Sequence, residues 1–141
     1  MFTMNENQVA ALDHTVQLAS VWLKRLGDEH NLDEKHHSYS ALRAVLHATR
    51  DRLPPEAAVH FGAQLPILRR GIYYEGWRIS ECPHNEPQVD EFRARVAAEL
   101  PPMFPRGTLS VTKGVIDLCG RKLIRARPQR SSSPCLWRFA V

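Results

Sequence analysis

Two groups of residues in this chain carry side chains that could do chemistry. One is the polar run at residues 28–37, DEHNLDEKHH, and the other is the tripeptide Cys82-Pro83-His84. The run offers imidazole and carboxylate groups suited to zinc or a similar ion: Asp28, Glu29, His30, Asp33, Glu34, His36 and His37. It lacks the H-E-x-x-H spacing that places two imidazoles on one helical face. We therefore favour a solvated turn between helices and expect no metal or cofactor, with metal binding kept as an alternative.

The Cys82-Pro83-His84 tripeptide places a thiol beside an imidazole, the pairing that cysteine nucleophiles use. An active thiol also needs a neighbour that lowers its pKa and a preformed oxyanion site, and the tripeptide supplies neither. The chain has no G-x-S-x-G elbow, no phosphate-binding glycine loop and no dinucleotide fingerprint. We therefore expect no catalytic residue. An enzyme whose site is assembled from distant residues of a helical bundle remains an alternative.

A third group of residues suggests binding. Basic and aromatic side chains of the central helices form a candidate interaction surface: Arg43, His47, Arg50, Arg69, Arg70, Tyr73 and Tyr74. Basic residues interleaved with aromatic ones are typical of nucleic-acid binding when they share one face. A soluble helix also carries its charges at such positions, and no helix-turn-helix spacing accompanies them. Nucleic acid is therefore a secondary expectation for the partner.

The charge of the chain is unevenly distributed. Residues 1–105 carry 11 basic and 14 acidic side chains, whereas residues 106–141 carry 8 basic and 1 acidic. Such an excess of positive charge is compatible with a nucleic-acid partner or with a solvated tail. It therefore supports the nucleic-acid alternative without selecting it.

The sequence also bears on the cellular compartment. No run of about 18 apolar residues occurs, and the first residues lack the basic and then apolar pattern of a signal peptide. The three cysteines, Cys82, Cys119 and Cys135, match no disulfide framework or zinc signature. We therefore expect a reduced, cytoplasmic protein with no membrane partner.

Apolar periodicity predicts an all-α protein. A chain of 141 residues can bury one core, and we expect a single small helical bundle of about five helices in residues 1–123. Residues 124–141 form a basic, Arg/Ser/Pro-rich tail that we expect to be poorly ordered. The first helix is predicted from Val9 to Leu26, with Gly27 ending it. Its inward stripe is Leu12, Val16, Ala19, Leu23 and Leu26.

The second and third predicted helices form a central antiparallel hairpin. Asp33 is the expected N-cap of the second helix, and Leu53-Pro54-Pro55 ends it and opens the third. The apolar pattern of the third helix keeps its phase across Pro66, which predicts one helix kinked between Gly62 and Pro66. The inward stripes are Tyr39, Leu42, Leu46, Thr49 and Leu53 in the second helix, and Ala58, Phe61, Leu65, Leu68 and Ile72 in the third.

Glycine and proline mark the predicted helix ends in the rest of the chain. Gly76 is the expected end of the third helix, with Trp77 packed on Ile72 as in a Schellman motif. A fourth helix is predicted from Pro87, with Val89, Phe92, Val96 and Leu100 facing inward. A fifth is predicted from Thr108 to Leu123, with Thr112, Val115, Ile116, Cys119 and Leu123 facing inward. Gly114 and Gly120 each weaken this last helix by about 1 kcal/mol relative to Ala.

Residues 41–77, ALRAVLHATRDRLPPEAAVHFGAQLPILRRGIYYEGW, resemble the signature of the bacterial family called domain of unknown function 2267. EFRARVAAEL fits the next helix of that family, and the resemblance covers roughly residues 10–100. It implies a small all-helical bundle in a bacterial, cytosolic protein, with no reaction, ligand or catalytic residue to carry over. After Leu123 the chain departs from the family pattern of a second Leu-Pro segment followed by a Leu and a Trp. One hypothesis is that the last 18 residues are a divergent or frame-shifted end.

These patterns favour a non-catalytic helical interaction or regulatory module that binds a protein partner or a second copy of itself. If the tail does not fold, we expect the apolar stripes of the fourth and fifth predicted helices to be uncovered and to drive self-association. The alternatives are a nucleic-acid-associated protein that uses the basic C-terminal quarter, and a helical-bundle enzyme or metal-binding protein.

Overall fold

A computed structural model describes residues 9–82 and 89–125, without the side chains of residues 121–125. Within these ranges the protein is all-helical, which confirms the predicted fold class. The helices are α1 (Ala10–His30), α2 (Lys35–Arg52), α3 (Pro55–Ala63), α4 (Ile67–Tyr74), α5 (Val89–Glu99) and α6 (Thr108–Arg125), with a short 3-10 helix at Ile79–Glu81. In the described ranges, no helix has the length and apolar character needed to cross a bilayer. The predicted helix start at Pro87 and residues 126–141 lie outside them.

α2 is the central helix, because it packs against α1, α4, α5 and α6. It is buried on nearly every side, at Ser38, Ala41, Leu42, Ala44, Val45, Leu46, His47, Ala48 and Arg50. The sequence placed His47 and Arg50 off the inward stripe, but both are buried. A helix that neighbours surround buries more than one stripe, so its polar residues must find partners inside the protein.

The inward stripes predicted for α5 and α6 are confirmed where they meet the core. Phe92 and Val96 of α5 are buried, as are Thr112, Val115 and Cys119 of α6. Both helices pack against α2 and against each other, and α6 also packs against α1. The sequence predicted uncovered stripes only for a tail that does not fold, and residues 126–141 lie outside the described ranges. Two residues predicted to face inward at helix starts, Tyr39 and Val89, are exposed.

α1 continues through Gly27 and ends one turn later than predicted. Asn31, with φ 49° and ψ 49°, takes the left-handed conformation in place of the glycine. Gly27 allows a close approach to the next turn, because a Cβ there would lie 3.1 Å from the Leu32 carbonyl oxygen and 3.2 Å from Ser38 Oγ. α2 then begins at Lys35 without a side-chain cap, so the predicted N-cap is also displaced.

Pro66 divides the predicted third helix into two, which corrects the expectation of a single kinked helix. α3 ends at Ala63 and α4 begins at Ile67. Proline has no N–H to continue the helical hydrogen-bond ladder, and the Gly62 carbonyl accepts the Leu65 N–H at 3.1 Å instead. The apolar phase changes at this break. Leu68, predicted to face the core, is 40% exposed, and the next residue, Arg69, is buried in its place.

The end of α4 is a β-turn and not the predicted Schellman motif. Glu75 has φ −56° and ψ 122°, Gly76 has φ 67°, and the Trp77 N–H donates to the Tyr74 carbonyl at 3.2 Å. These values define a type II turn, whose third residue needs a positive φ and so favours glycine. The Trp77 ring packs on Tyr74, with 5.5 Å between ring centroids.

We predict that Leu46→Ala and Leu68→Ala differ sharply in their effect on the free energy of unfolding. Leu46 is 2% exposed, and losing its side chain should cost about 2–5 kcal/mol. Leu68 is 40% exposed, so its loss should cost less than about 1 kcal/mol. Urea denaturation of both variants measures the difference. Equal losses would show that the change of phase at Pro66 is incorrect.

A second prediction concerns Gly114, where a Cβ would overlap the His30 imidazole. Helix propensity alone favours Ala, but overpacking should make Gly114→Ala destabilising by about 1–3 kcal/mol. Gly71→Ala is the matched control, since a Cβ there meets nothing within 4 Å and should stabilise by about 0.5–1 kcal/mol. In a His30→Ala background, the loss at Gly114 should disappear. If Gly114→Ala still lowers the free energy of unfolding in the His30→Ala background, the destabilisation does not come from contact with the imidazole.

Candidate functional site

The seven predicted interaction residues do not form one solvent-facing patch. His47, Arg50, Arg69 and Tyr73 are buried. Arg43 and Tyr74 are partly buried, and Arg70 is exposed. Most of them are engaged at the ends of α3 and α4, where the last carbonyl groups of a helix lack intrahelical donors.

α2 presents basic side chains to the carbonyl end of α4. Arg50 Nη1 donates to the carbonyl oxygens of Tyr73 at 2.8 Å and Glu75 at 2.9 Å. One turn earlier, His47 Nε2 lies 2.7 Å from the Ile72 carbonyl oxygen. That nitrogen carries a proton, because a carbonyl oxygen can only accept. Positive charge is also favoured at a helix C-terminus by the helix dipole, so these contacts act as a cap for α4.

Two carboxylates extend this network to α5. Arg43 Nε donates to Glu75 Oε2 at 3.0 Å, and its Nη1 lies 3.5 Å from Glu99 Oε2. His47 Nδ1 lies 3.0 Å from the same Glu99 oxygen. The hydrogen bond from Arg43 holds the pKa of Glu75 below its usual range, and the same bond raises the pKa of Arg43. Because Glu99 is the last residue of α5, the network joins the ends of α4 and α5 to the central helix.

Arg70 caps α3 in the same way. Its Nε donates to the carbonyl oxygens of Gly62 and Leu65, at 3.2 Å each. Its Nη2 donates to those of Ala63 at 3.1 Å and Leu65 at 3.0 Å. Pro66 has no N–H to donate to the Gly62 carbonyl, and one guanidinium donates to three carbonyls around the break. Arg70 is therefore engaged in holding the break between α3 and α4.

Tyr73 and Tyr74 of α4 hold this helix against α3 through hydrogen bonds and ring contacts. Tyr73 OH donates to the Ala58 carbonyl oxygen at 2.7 Å, and burial raises the pKa of the phenol. Tyr74 OH donates to the Val59 carbonyl oxygen at 3.3 Å. The Tyr74 ring lies over Gly62, where a Cβ would overlap it. Their hydroxyl groups are thus used inside the fold.

Arg69 differs from the other basic residues. Its guanidinium carbon lies 3.0 Å from the centroid of the Trp22 ring, a cation–π contact. Burial lowers the pKa of Arg69 to about 10, and Nη1 has no hydrogen-bond partner within the described residues. The nearby Cys119 thiol has its pKa raised by burial to about 12. A thiol that stays protonated is a poor nucleophile, and its neighbour Arg69 is engaged with the Trp22 ring, so this cluster has the properties of a packing contact.

The polar run that suggested a metal site is also used for packing. The His30 imidazole lies against Gly114, and the His37 ring meets the Phe104 ring edge-on at 5.5 Å between centroids. Among the described residues, no three His, Cys, Asp or Glu side chains are grouped to hold a metal ion. The imidazoles therefore face packing partners on α6 and on the loop before it.

Cys82 shows no sign of activation. Its Sγ lies 3.7 Å from Asp51 Oδ1. Burial is the main cause that raises the pKa of the thiol, which disfavours the reactive thiolate. Pro83 and His84, the rest of the tripeptide, lie outside the described residues.

The surface that the sequence did not reveal is the first half of α1. Leu12 is 61% exposed and Val16 57%, although they continue the stripe that ends at Leu26, which is 1% exposed. Ala19 and Leu23, between them, are partly buried. Val9 at the N-cap position is also exposed and lies three residues before Leu12. These three residues, Val9, Leu12 and Val16, are called the α1 apolar face.

Residues 19–130 match a family described as uncharacterized conserved protein (DUF2267). This match covers most of the chain, so the protein belongs to that family. No curated protein matches the chain. The match continues past Leu123, so the departure from the family comes later than the sequence indicated. The α1 apolar face lies before the matched residues, and Leu136 and Trp137 lie after them.

The cap of α4 predicts a large effect for Arg50→Met. The substitution leaves two carbonyl oxygens without their donor, which should lower the free energy of unfolding by about 2–4 kcal/mol. Arg78→Met is the control, because the Arg78 side chain forms an exposed pair with Glu81 at 3.3 Å, and the loss of such a pair should cost less than about 0.5 kcal/mol. Chemical denaturation compares the two. Similar stabilities for both variants would contradict the capping role.

Proposed function

We propose that this member of the family is a non-catalytic interaction module that associates with a second copy of itself through the α1 apolar face. The observation that carries this proposal is the exposure of Leu12 and Val16, at 61% and 57%, on the side of α1 that faces the core further along. Apolar residues at such helical spacing are the anchors with which a helix docks onto an apolar surface. An uncovered stripe of this kind favours association, because contact removes it from water.

The chemistry of the first half of α1 favours a second copy as the occupant. Residues 10–21 contain one carboxylate, Asp13, and no Lys or Arg. Two copies can therefore bring this region together without burying several like charges. An apolar stripe is also complementary to itself across a two-fold axis. The face is short, so we expect weak association that depends on concentration.

The polar side chains of the central helices bind groups of their own chain, which supports a module without catalysis. Arg50 and Arg70 are engaged by backbone carbonyls, and Arg43 by two carboxylates. These arginines were among the residues that suggested nucleic-acid binding. That alternative now depends on the basic residues of the C-terminal quarter. A cytoplasmic setting is part of the proposal, since Cys82 and Cys119 are free thiols among the described residues, and a bacterial origin is part of it because of the family resemblance.

Two valines of α1 provide a matched test. Val16 and Val21 are both 57% exposed, but their five-residue spacing places them about 140° apart around the helix. Val16→Lys should weaken self-association by about tenfold or more, because it places a charge in the apolar contact. Val21→Lys should leave it unchanged. Sedimentation equilibrium over a range of concentrations measures both.

The control makes the outcome specific to the α1 apolar face. Circular dichroism should show equal helix content for the two variants, since both side chains are exposed. Self-association that is the same in both variants, or absent from the unsubstituted protein at all concentrations, would contradict the proposed function.

A further inference from the structure

The direction of α6 relative to α1 follows from the contacts made at two places along these helices. At one point, Arg106 Nε donates to the His30 carbonyl oxygen at 2.9 Å, and Gly114 lies under the His30 imidazole. At the other, the Arg69 guanidinium lies over Trp22, and Trp22 and Cys119 are packed in the same buried core. Residue numbers fall along α1 as they rise along α6, so the two helices are antiparallel.

This arrangement places the described end of α6 beside the α1 apolar face. Arg125 follows Cys119 by six residues, and Val16 precedes Trp22 by six residues. At 1.5 Å per residue, both lie about 9 Å beyond the level of Arg69, in the same direction. The part of α1 that its neighbours leave uncovered therefore begins where the described part of α6 ends.

The chain that continues from this point has suitable side chains. Residues 126–141 contain the apolar residues Leu136, Trp137 and Phe139. They also contain Arg127, Arg130 and Arg138 and no Asp or Glu, whereas the first half of α1 contains Asp13 and no Lys or Arg. An extended chain spans about 3.3 Å per residue, so the segment before Leu136 easily reaches from Arg125 along α1 to Val9.

We propose that residues 126–141 dock on the α1 apolar face of their own chain and thereby limit self-association. Leu136 and Trp137 lie against Leu12 and Val16 in this arrangement. A segment tethered to the same chain has an effective concentration that can reach the millimolar range, well above that of the protein in dilute solution. The tail therefore competes with a second copy for the same face. The intrachain contact stands on its own, whereas its effect on self-association rests on the proposed function.

Cross-linking can test the intrachain contact without reference to self-association. In the full chain, Val16→Cys introduces a thiol on the α1 apolar face, and a short bismaleimide joins it to Cys135 next to Leu136. Val21→Cys is the control, with equal exposure of 57% on another side of the helix. Both variants carry Cys82→Ser to remove the partly exposed thiol. At low protein concentration, peptide mapping should find intrachain links to Cys135 about tenfold more often from position 16 than from position 21.

The result also separates the two proposals. Equal linking from positions 16 and 21 would overturn the docking of the tail. Links between position 16 of two chains, without intrachain links to Cys135, would also overturn it while supporting self-association. Intrachain links without any self-association would support the docking and contradict the proposed function.

A second variant tests the regulatory effect. The double substitution Leu136→Ser and Trp137→Ser should strengthen self-association by about tenfold, because the tail then competes less well for the face. Weaker association would place the tail in the contact between copies and overturn the inference, as would association of unchanged strength. The matched control is Ser131→Ala and Ser132→Ala, which changes the tail without removing its apolar residues.

Discussion

The structure depends on supplying hydrogen-bond donors to the carbonyl ends of short helices. α3 and α4 have 9 and 8 residues, so the four carbonyls that a helix leaves unpaired are a large share of each. Arg70 satisfies this need for α3, and Arg50 with His47 satisfies it for α4. Each buried carbonyl left without a donor would cost about 1–3 kcal/mol, a large share of the net stability of a protein. The basic side chains are thus a condition for the break at Pro66.

This requirement moves the functional surface away from the residues whose types first suggested it. Arg43, His47 and Arg50 are basic and sit on one face of α2, as a binding patch would. Their partners are carbonyls and carboxylates of the same chain. The apolar first half of α1 is instead a surface without a partner among the described residues. Its role follows from exposure, which residue type alone does not reveal.

The sequence predicted the helical character of the fold, and the reasons for its failures are specific. Apolar spacing correctly identified Phe92, Val96 and Val115 as inward residues. Spacing cannot show that a helix is surrounded, so the burial of His47 and Arg50 was missed. It also shows which side of a helix faces the core but not where along the helix the core ends. For this reason Leu12 and Val16 were predicted to be covered. At Pro66 the assumption of constant phase failed, and Arg69 took the place of Leu68.

The central claim is that the basic residues of α2 are internal supports and that contact between copies is made by the first half of α1. Amide correlation spectra of the full chain, recorded from dilute to concentrated solution, test it most directly. The account predicts shift changes concentrated in residues 9–19, with little change at Arg43, His47, Arg50 or Glu99. Changes centred on those four residues, or no changes along α1, would contradict it.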